Sequence, residues 1–218
     1  MSRAQSIKAL KELGFTVSPG LPLTRDVVTG LRPPQEIAQR LCGLDAVCTW
    51  VMSSATDNPD EQIEAYVDDN DLMVDGDDVE ILQTPRAQAQ QQFRELVGWR
   101  LENMWSLAWI LGFPRVPTIQ GIIGDAVIQP LFAFLPKMTD ELDAWTSKRK
   151  VRSNDEVLSL EDFFFCAHNA ARSAQLGAST APKGFEPVVG TGVIHERRHS
   201  LTWAISPDVS WEDTDLST

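Results

Sequence analysis

The chain has 218 residues, 43% of them hydrophobic and seven of them Trp, a composition that supports a sizeable core and excludes a disordered chain. Its formal net charge of −12 argues against nucleic acid and anionic membrane as partners, because both are bound by Lys and Arg that displace counterions. The same excess of carboxylates suits a basic protein partner.

The first helix is predicted from about Arg3 to Leu13, with Ser2 as N-cap and Gly14 at the C′ position. This segment is amphipathic and lacks the apolar run of a signal peptide. The most apolar short run, Leu107 to Phe113, is far below the ~20 residues that cross a bilayer. Cys42, Cys48 and Cys166 show no metal-like spacing and read as reduced, buried thiols, so the expected compartment is the cytoplasm.

A loop over 15–31 carries Pro19, Gly20, Pro22 and Gly30. Pro33 and Pro34 then open a long apolar helix through about Val51, since proline is tolerated in a first turn. Asn58-Pro59 begins a short acidic helix to about Asp69, and Val79–Leu82 is a candidate strand. Thr84-Pro85 starts a helix, or a broken pair of helices, ending at Gly112. Four prolines punctuate 113–138, and a short helix follows Thr139.

Ser153-Asn154-Asp155-Glu156 fits a capping box opening a helix to Leu176, stopped by Gly177. Gly190-Thr191-Gly192 lacks the third glycine of a dinucleotide fingerprint and reads as a turn. The last helix is predicted from about Gly192 to Ile205, before an acidic tail at 206–218. The expected fold is mainly α: a multi-helix single domain over 1–218 with at most a few short strands.

Several motifs recur in order along the chain. They are Ser6-x3-Leu10-x3-Gly14, Leu21-Pro22, Leu31-Arg32 and Glu36-Ile37-Ala38-x-Arg40 in the first quarter. Trp99-Arg100-x-Glu102, Leu107-x-Trp109-x-Leu111-Gly112 and His168-x3-Arg172 follow. Glu196-Arg197-x3-Leu201-x-Trp203 and Trp211-Glu212-Asp213 close the series. In this order they resemble the bacterial domain-of-unknown-function family DUF4272. That resemblance implies a mostly helical protein, leaves 113–138 unmatched as a candidate insertion, and carries over no activity, cofactor or catalytic residue.

His195-Glu196-Arg197-Arg198-His199 matches the H-E-x-x-H pattern of zinc hydrolases, in which two His ligate the metal and Glu is the general base. No third ligand follows at the usual spacing, and both middle positions are Arg. At about 100° per residue, His195, His199 and Thr202 project away from the apolar sector of Val193, Ile194, Leu201, Ala204 and Ile205. The pattern therefore reads as a solvated pair with no metal, and a zinc-dependent hydrolase is kept as the alternative.

The same projection sets Arg197 inside the apolar sector and Arg198 at its edge. Arg100 likewise falls among Phe93, Leu96, Val97, Met104 and Leu107, while Glu161, His168 and Arg172 share a stripe with Leu158 and Phe165. Together with Glu196 these residues are expected to form a buried polar network, or a small-ligand pocket of the kind a sensor would carry.

Between Arg40 and Arg86 there is no Lys or Arg, and the carboxylates of that interval suffice to account for the charge of −12. An EF-hand register with Gly76 at the turn position would put Met73 where an oxygen ligand belongs, so no calcium site is expected. The acidic segment 57–80 is instead the expected docking surface for a basic protein, through Asp68, Asp69, Asp71, Asp75, Asp77 and Asp78. The expected function is therefore that of a non-enzymatic cytoplasmic binding protein, adaptor-like or immunity-like, that uses no cofactor.

Overall fold

The computed structural model describes residues 1–23 and 30–218. Among them lie ten helices and no strand, so the protein is mainly α. The part of the expected loop at 24–29 falls outside the described residues. Among the described residues no helix is long and apolar enough to cross a membrane.

The chain forms two compact units, each assembled from separate stretches of sequence. The first takes residues 1–31, 116–122 and 152–218. It contains α1 (Arg3–Glu12), α9 (Asn154–Gln175) and α10 (Pro187–Ala204), with α10 packed along α9 and α1 against α9. Both expected caps are present: Ser2 and Ser153 each close a capping box, with Gln5 and Glu156 as the reciprocal partners.

The second unit takes residues 32–115 and 123–151. Its centre is α2 (Pro34–Met52) against α6 (Arg94–Ile110). Both helices are buried over most of their length, polar residues such as Arg40, Asp45, Glu102 and Asn103 included, the pattern of helices with neighbours on every side. Around them stand α3 (Asp60–Asp69), α4 (Asp77–Gln83), α5 (Arg86–Gln92), α7 (Asp125–Phe134) and α8 (Leu142–Thr146).

Two local expectations need correction. The candidate strand at Val79–Leu82 is part of α4. Asp77 and Asp78 in its first turn favour the helix by facing the positive end of its dipole. Gly190-Thr191-Gly192 is not a turn but lies within α10, which begins one turn earlier than expected, at Pro187. Glu186 caps that end by accepting from the Val189 amide, and the Phe185 ring packs where a side chain on Gly190 would be. The Thr84-Pro85 segment resolves into the broken pair α5 and α6, divided at Phe93.

Glycine has opposite significance at two helical positions of the second unit. A Cβ on Gly43 of α2 would overlap the carbonyl oxygen of Met73, a backbone atom with no freedom to move aside. A Cβ on Gly98 of α6 would meet nothing within 4 Å. Gly43→Ala is accordingly expected to destabilise by about 2 kcal/mol or more through overpacking. Gly98→Ala should stabilise by up to about 1 kcal/mol, because alanine is the better helix former. Urea denaturation of the two variants checks both signs.

Asp45 lies in the middle of α2, 6% exposed, with no ion pair or hydrogen bond among the described residues. Burial pushes its carboxyl up to about 7. An unfolded Asp titrates near ~3.9, so the folded state holds its proton through a window where the unfolded state has released it. Stability is therefore full below about pH 4 and falls as pH rises towards 7. Asp45→Asn should leave stability at pH 4 nearly unchanged and raise it at pH 8 by about 2 kcal/mol or more, read as a shift of the denaturation midpoint.

Candidate functional site

Acidic residues of the second unit gather into a groove. Asp69 and Asp71, at the end of α3 and just beyond it, face Asp140 and Glu141, just before α8, and Asp143 in its first turn. All five carboxylates are exposed. They line a groove of about 700 Å³ whose other polar walls include Gln35, Gln39 and Gln62, with no Lys or Arg in the lining. Asn70 joins the two acidic segments, as its Oδ1 accepts from the Leu142 amide at 3.1 Å and its Nδ2 donates to the Tyr66 carbonyl at 3.1 Å. Asp71 turns the chain with a φ of 49°, a left-handed conformation that Asp tolerates better than most residues.

The six expected docking residues divide between two environments. Asp68, Asp69, Asp71 and Asp77 are exposed and Asp75 is half-buried. Asp78 is fully buried and cannot meet a partner. It accepts from Arg40 at 2.7 Å and from Arg100 at 2.9 Å. Sequence reasoning placed Asp78 on the surface because its neighbours are acidic, although α4 turns it inward. Asp140, Glu141 and Asp143 were missed, since three carboxylates in a short run do not stand out by charge and only the fold sets them opposite Asp69 and Asp71.

Arg100 finds its carboxylate within the second unit, and the other expected network residues lie in the first. Glu161 and His168 of α9 are brought together, but by Arg198 rather than Arg197. Arg198 was expected at the edge of the apolar sector and is instead 3% exposed. Its Nε donates to Glu161 at 3.2 Å, and one terminal nitrogen donates to His168 Nδ1 and to the Leu216 carbonyl, each at 2.9 Å. Its plane covers the Phe165 ring at 4.7 Å. Arg197 is fully buried and donates to the carbonyls of Thr118 at 2.6 Å and Gly121 at 2.8 Å, within the proline-punctuated stretch. Arg172 is exposed at the end of α9 and donates to Gln175, and Glu196 is half-buried on α10.

A guanidinium can only donate, so His168 Nδ1 is an acceptor and the ring proton sits on Nε2. Burial, reinforced by the charge of Arg198, holds the His168 pKa down to about 3, and the imidazole is neutral at physiological pH. The pentad histidines are half-buried rather than solvated. His195 stands edge-on to His168 with ring centroids 5.4 Å apart. Its ring is parallel to that of His199, with centroids 6.4 Å apart. His199 packs against the Trp211 ring, and its Nε2 lies 2.9 Å from the Trp211 carbonyl oxygen. The helical projection set these rings away from the apolar sector of α10 and so expected them in solvent. It could not foresee the C-terminal segment that folds back over them. Among the described residues no group of three or more His, Cys, Asp and Glu is arranged to hold a metal ion.

Fold and sites together define an all-α protein that carries an acidic groove on one unit and a buried Glu–Arg–His cluster in the other. Residues 2–214 match the domain of unknown function (DUF4272), and the chain belongs to that family. The stretch 113–138 lies within the matched span. No curated protein and no solved structure matches the chain.

Both adjacent arginines of α10 are now expected to be costly to remove. Arg198→Ala leaves Glu161 buried without its cation and should destabilise by about 3 kcal/mol or more. Arg197→Ala strands two carbonyls and should cost about 2–3 kcal/mol. The discriminating measurement is a double-mutant cycle of Arg198→Ala with Glu161→Gln in chemical denaturation. The combined loss should fall short of the sum by at least about 1 kcal/mol, whereas additivity would show that the two side chains do not interact.

Proposed function

We propose that the protein is a non-enzymatic binding protein that docks a basic protein partner through the acidic groove of its second unit. One observation carries this reading: five exposed carboxylates from two separate segments converge on one concave surface whose lining contains no cation. Like charges held together repel, so a fold gains no stability from that arrangement. A partner's Lys or Arg would supply the missing counter-charge. Such a surface speeds encounter and selects partners by charge more than it adds affinity. A cytoplasmic adaptor or a toxin-neutralising protein would use a groove of this kind.

A fluorescently labelled oligolysine peptide is a suitable first probe, followed by anisotropy at two salt concentrations. Binding should weaken steeply with salt, because exposed charges are screened beyond a Debye length of about 8 Å at physiological ionic strength. Asp69→Asn, Asp71→Asn and Asp143→Asn together should lower affinity about tenfold, the equivalent of ~1.4 kcal/mol, while leaving the fold intact. The control variant, Glu12→Gln with Asp208→Asn and Glu212→Gln, removes the same charge from exposed positions of the first unit and should change affinity less than twofold. Equal losses from the two triple variants would reduce the effect to net charge and overturn the groove as a docking site.

A further inference from the structure

The first unit holds a second pocket, independent of the acidic groove. It opens between α9 and α10 with a volume of about 660 Å³, in the range of small-molecule sites. One wall presents His168, Asn169 and Arg172 of α9, the other Thr191 and His195 of α10, and residues 216–218 border it. No Asp or Glu lines it.

Two of its lining groups are buried and unsatisfied. His168 and Thr191 are each 3% exposed, and neither His168 Nε2 nor Thr191 Oγ1 has a hydrogen-bond partner among the described residues. A buried polar atom left unpaired forfeits its hydration without compensation, which makes such a pair in one pocket an indication of a missing ligand. Because Arg198 occupies Nδ1, the vacant position on His168 is an N–H that can only donate.

The charge around the pocket specifies the ligand further. The cation of Arg198 is already matched by Glu161, whereas Arg172 pairs with no carboxylate among the described residues. The pocket therefore presents a fixed neutral donor, a hydroxyl and the guanidinium of Arg172, which is held by the neutral side chain of Gln175 rather than by a carboxylate. We infer that it is a binding site for a small molecule bearing a carboxylate or phosphate group. The oxyanion would accept from His168 Nε2–H and the Thr191 hydroxyl and would pair with Arg172. Glu161 and Arg198 act as positioning residues, holding the imidazole in the tautomer that donates into the pocket.

The test uses the whole chain with ¹⁵N-labelled histidine, titrated separately with inorganic phosphate and with acetate against sodium chloride of matched ionic strength. The His168 Nε2 resonance, assigned by its loss in His168→Gln, should shift saturably with one or both anions and not with chloride. His199, engaged with Trp211, should remain still. Whichever anion saturates at the lower concentration identifies the headgroup. Arg172→Gln, an exposed position that leaves the fold alone, should weaken binding about tenfold. Thr191→Val should do the same without lowering the melting temperature, since it removes a buried hydroxyl that has no partner in the free protein. A shift that fails to saturate with either anion, that chloride reproduces, or that Arg172→Gln leaves unaltered overturns the site.

Discussion

A guanidinium keeps its proton at any pH the protein meets, so wherever the chain buries one it must also deliver acceptors. Among the described residues the three most deeply buried are Arg40, Arg197 and Arg198. Each is answered differently. Arg40 shares the carboxylate of Asp78 with Arg100, which ties α2, α4 and α6 of the second unit at one point. Arg197 is answered by carbonyls of 116–122, a stretch remote in sequence that belongs to the first unit because its oxygens are needed there. Arg198 is answered by Glu161, His168 and the Leu216 carbonyl, and so binds α9, α10 and the C-terminal segment together. The long-range topology of each unit can be read as the means by which these charges are satisfied.

The functional consequence is clearest at Arg198. A side chain that only donates, placed against one nitrogen of an imidazole, dictates where the ring proton goes and keeps the ring neutral. His168 is thereby turned from a titratable group into a fixed donor aimed away from the cluster. Structure and site are coupled through one hydrogen bond of 2.9 Å, and loss of the guanidinium would free the tautomer before it unfolded the helix pair.

Much of the helical frame was legible in the sequence. Capping boxes at Ser2 and Ser153, proline at the start of α2 and glycine after α1 and α9 are local signals, and local physics decides them. Two errors were local: Asp77 and Asp78 directly after Gly76 are a helix-start signal that the apolar look of Val79–Leu82 masked, and the missing side chain of Gly190 makes room for the Phe185 ring five residues earlier. The others arose where a distant residue decides. Arg197 and Arg198 differ by only about 100° around a helix, so a projection against apolar neighbours could pick one and not see that the other faces α9. Arg40 was open to detection, as one of only two charges, with Asp45, in the largely apolar run from Ile37 to Val51. The acidic segment was found from its charge. Its partner segment at 140–143 was not, because convergence of two modest runs is a property of the fold.

The two proposed sites differ in what they ask of the protein. The groove carboxylates are exposed and solvated, so their mutual repulsion is weakened by water and salt, and evolution can hold them together at little cost in stability. The α9–α10 pocket asks for more, since His168 and Thr191 have given up water without gaining a partner. That difference separates the kinds of ligand each suits. A screened, open surface favours rapid and reversible docking of a large basic molecule. A recess with dry, pre-oriented donors recovers its desolvation cost only when a small acceptor fills it, so occupancy would itself stabilise the first unit. If both sites are used, a small anion that tightens α9 against α10 and a basic protein that meets the groove would act on separate units of one chain, each with its own energetic signature.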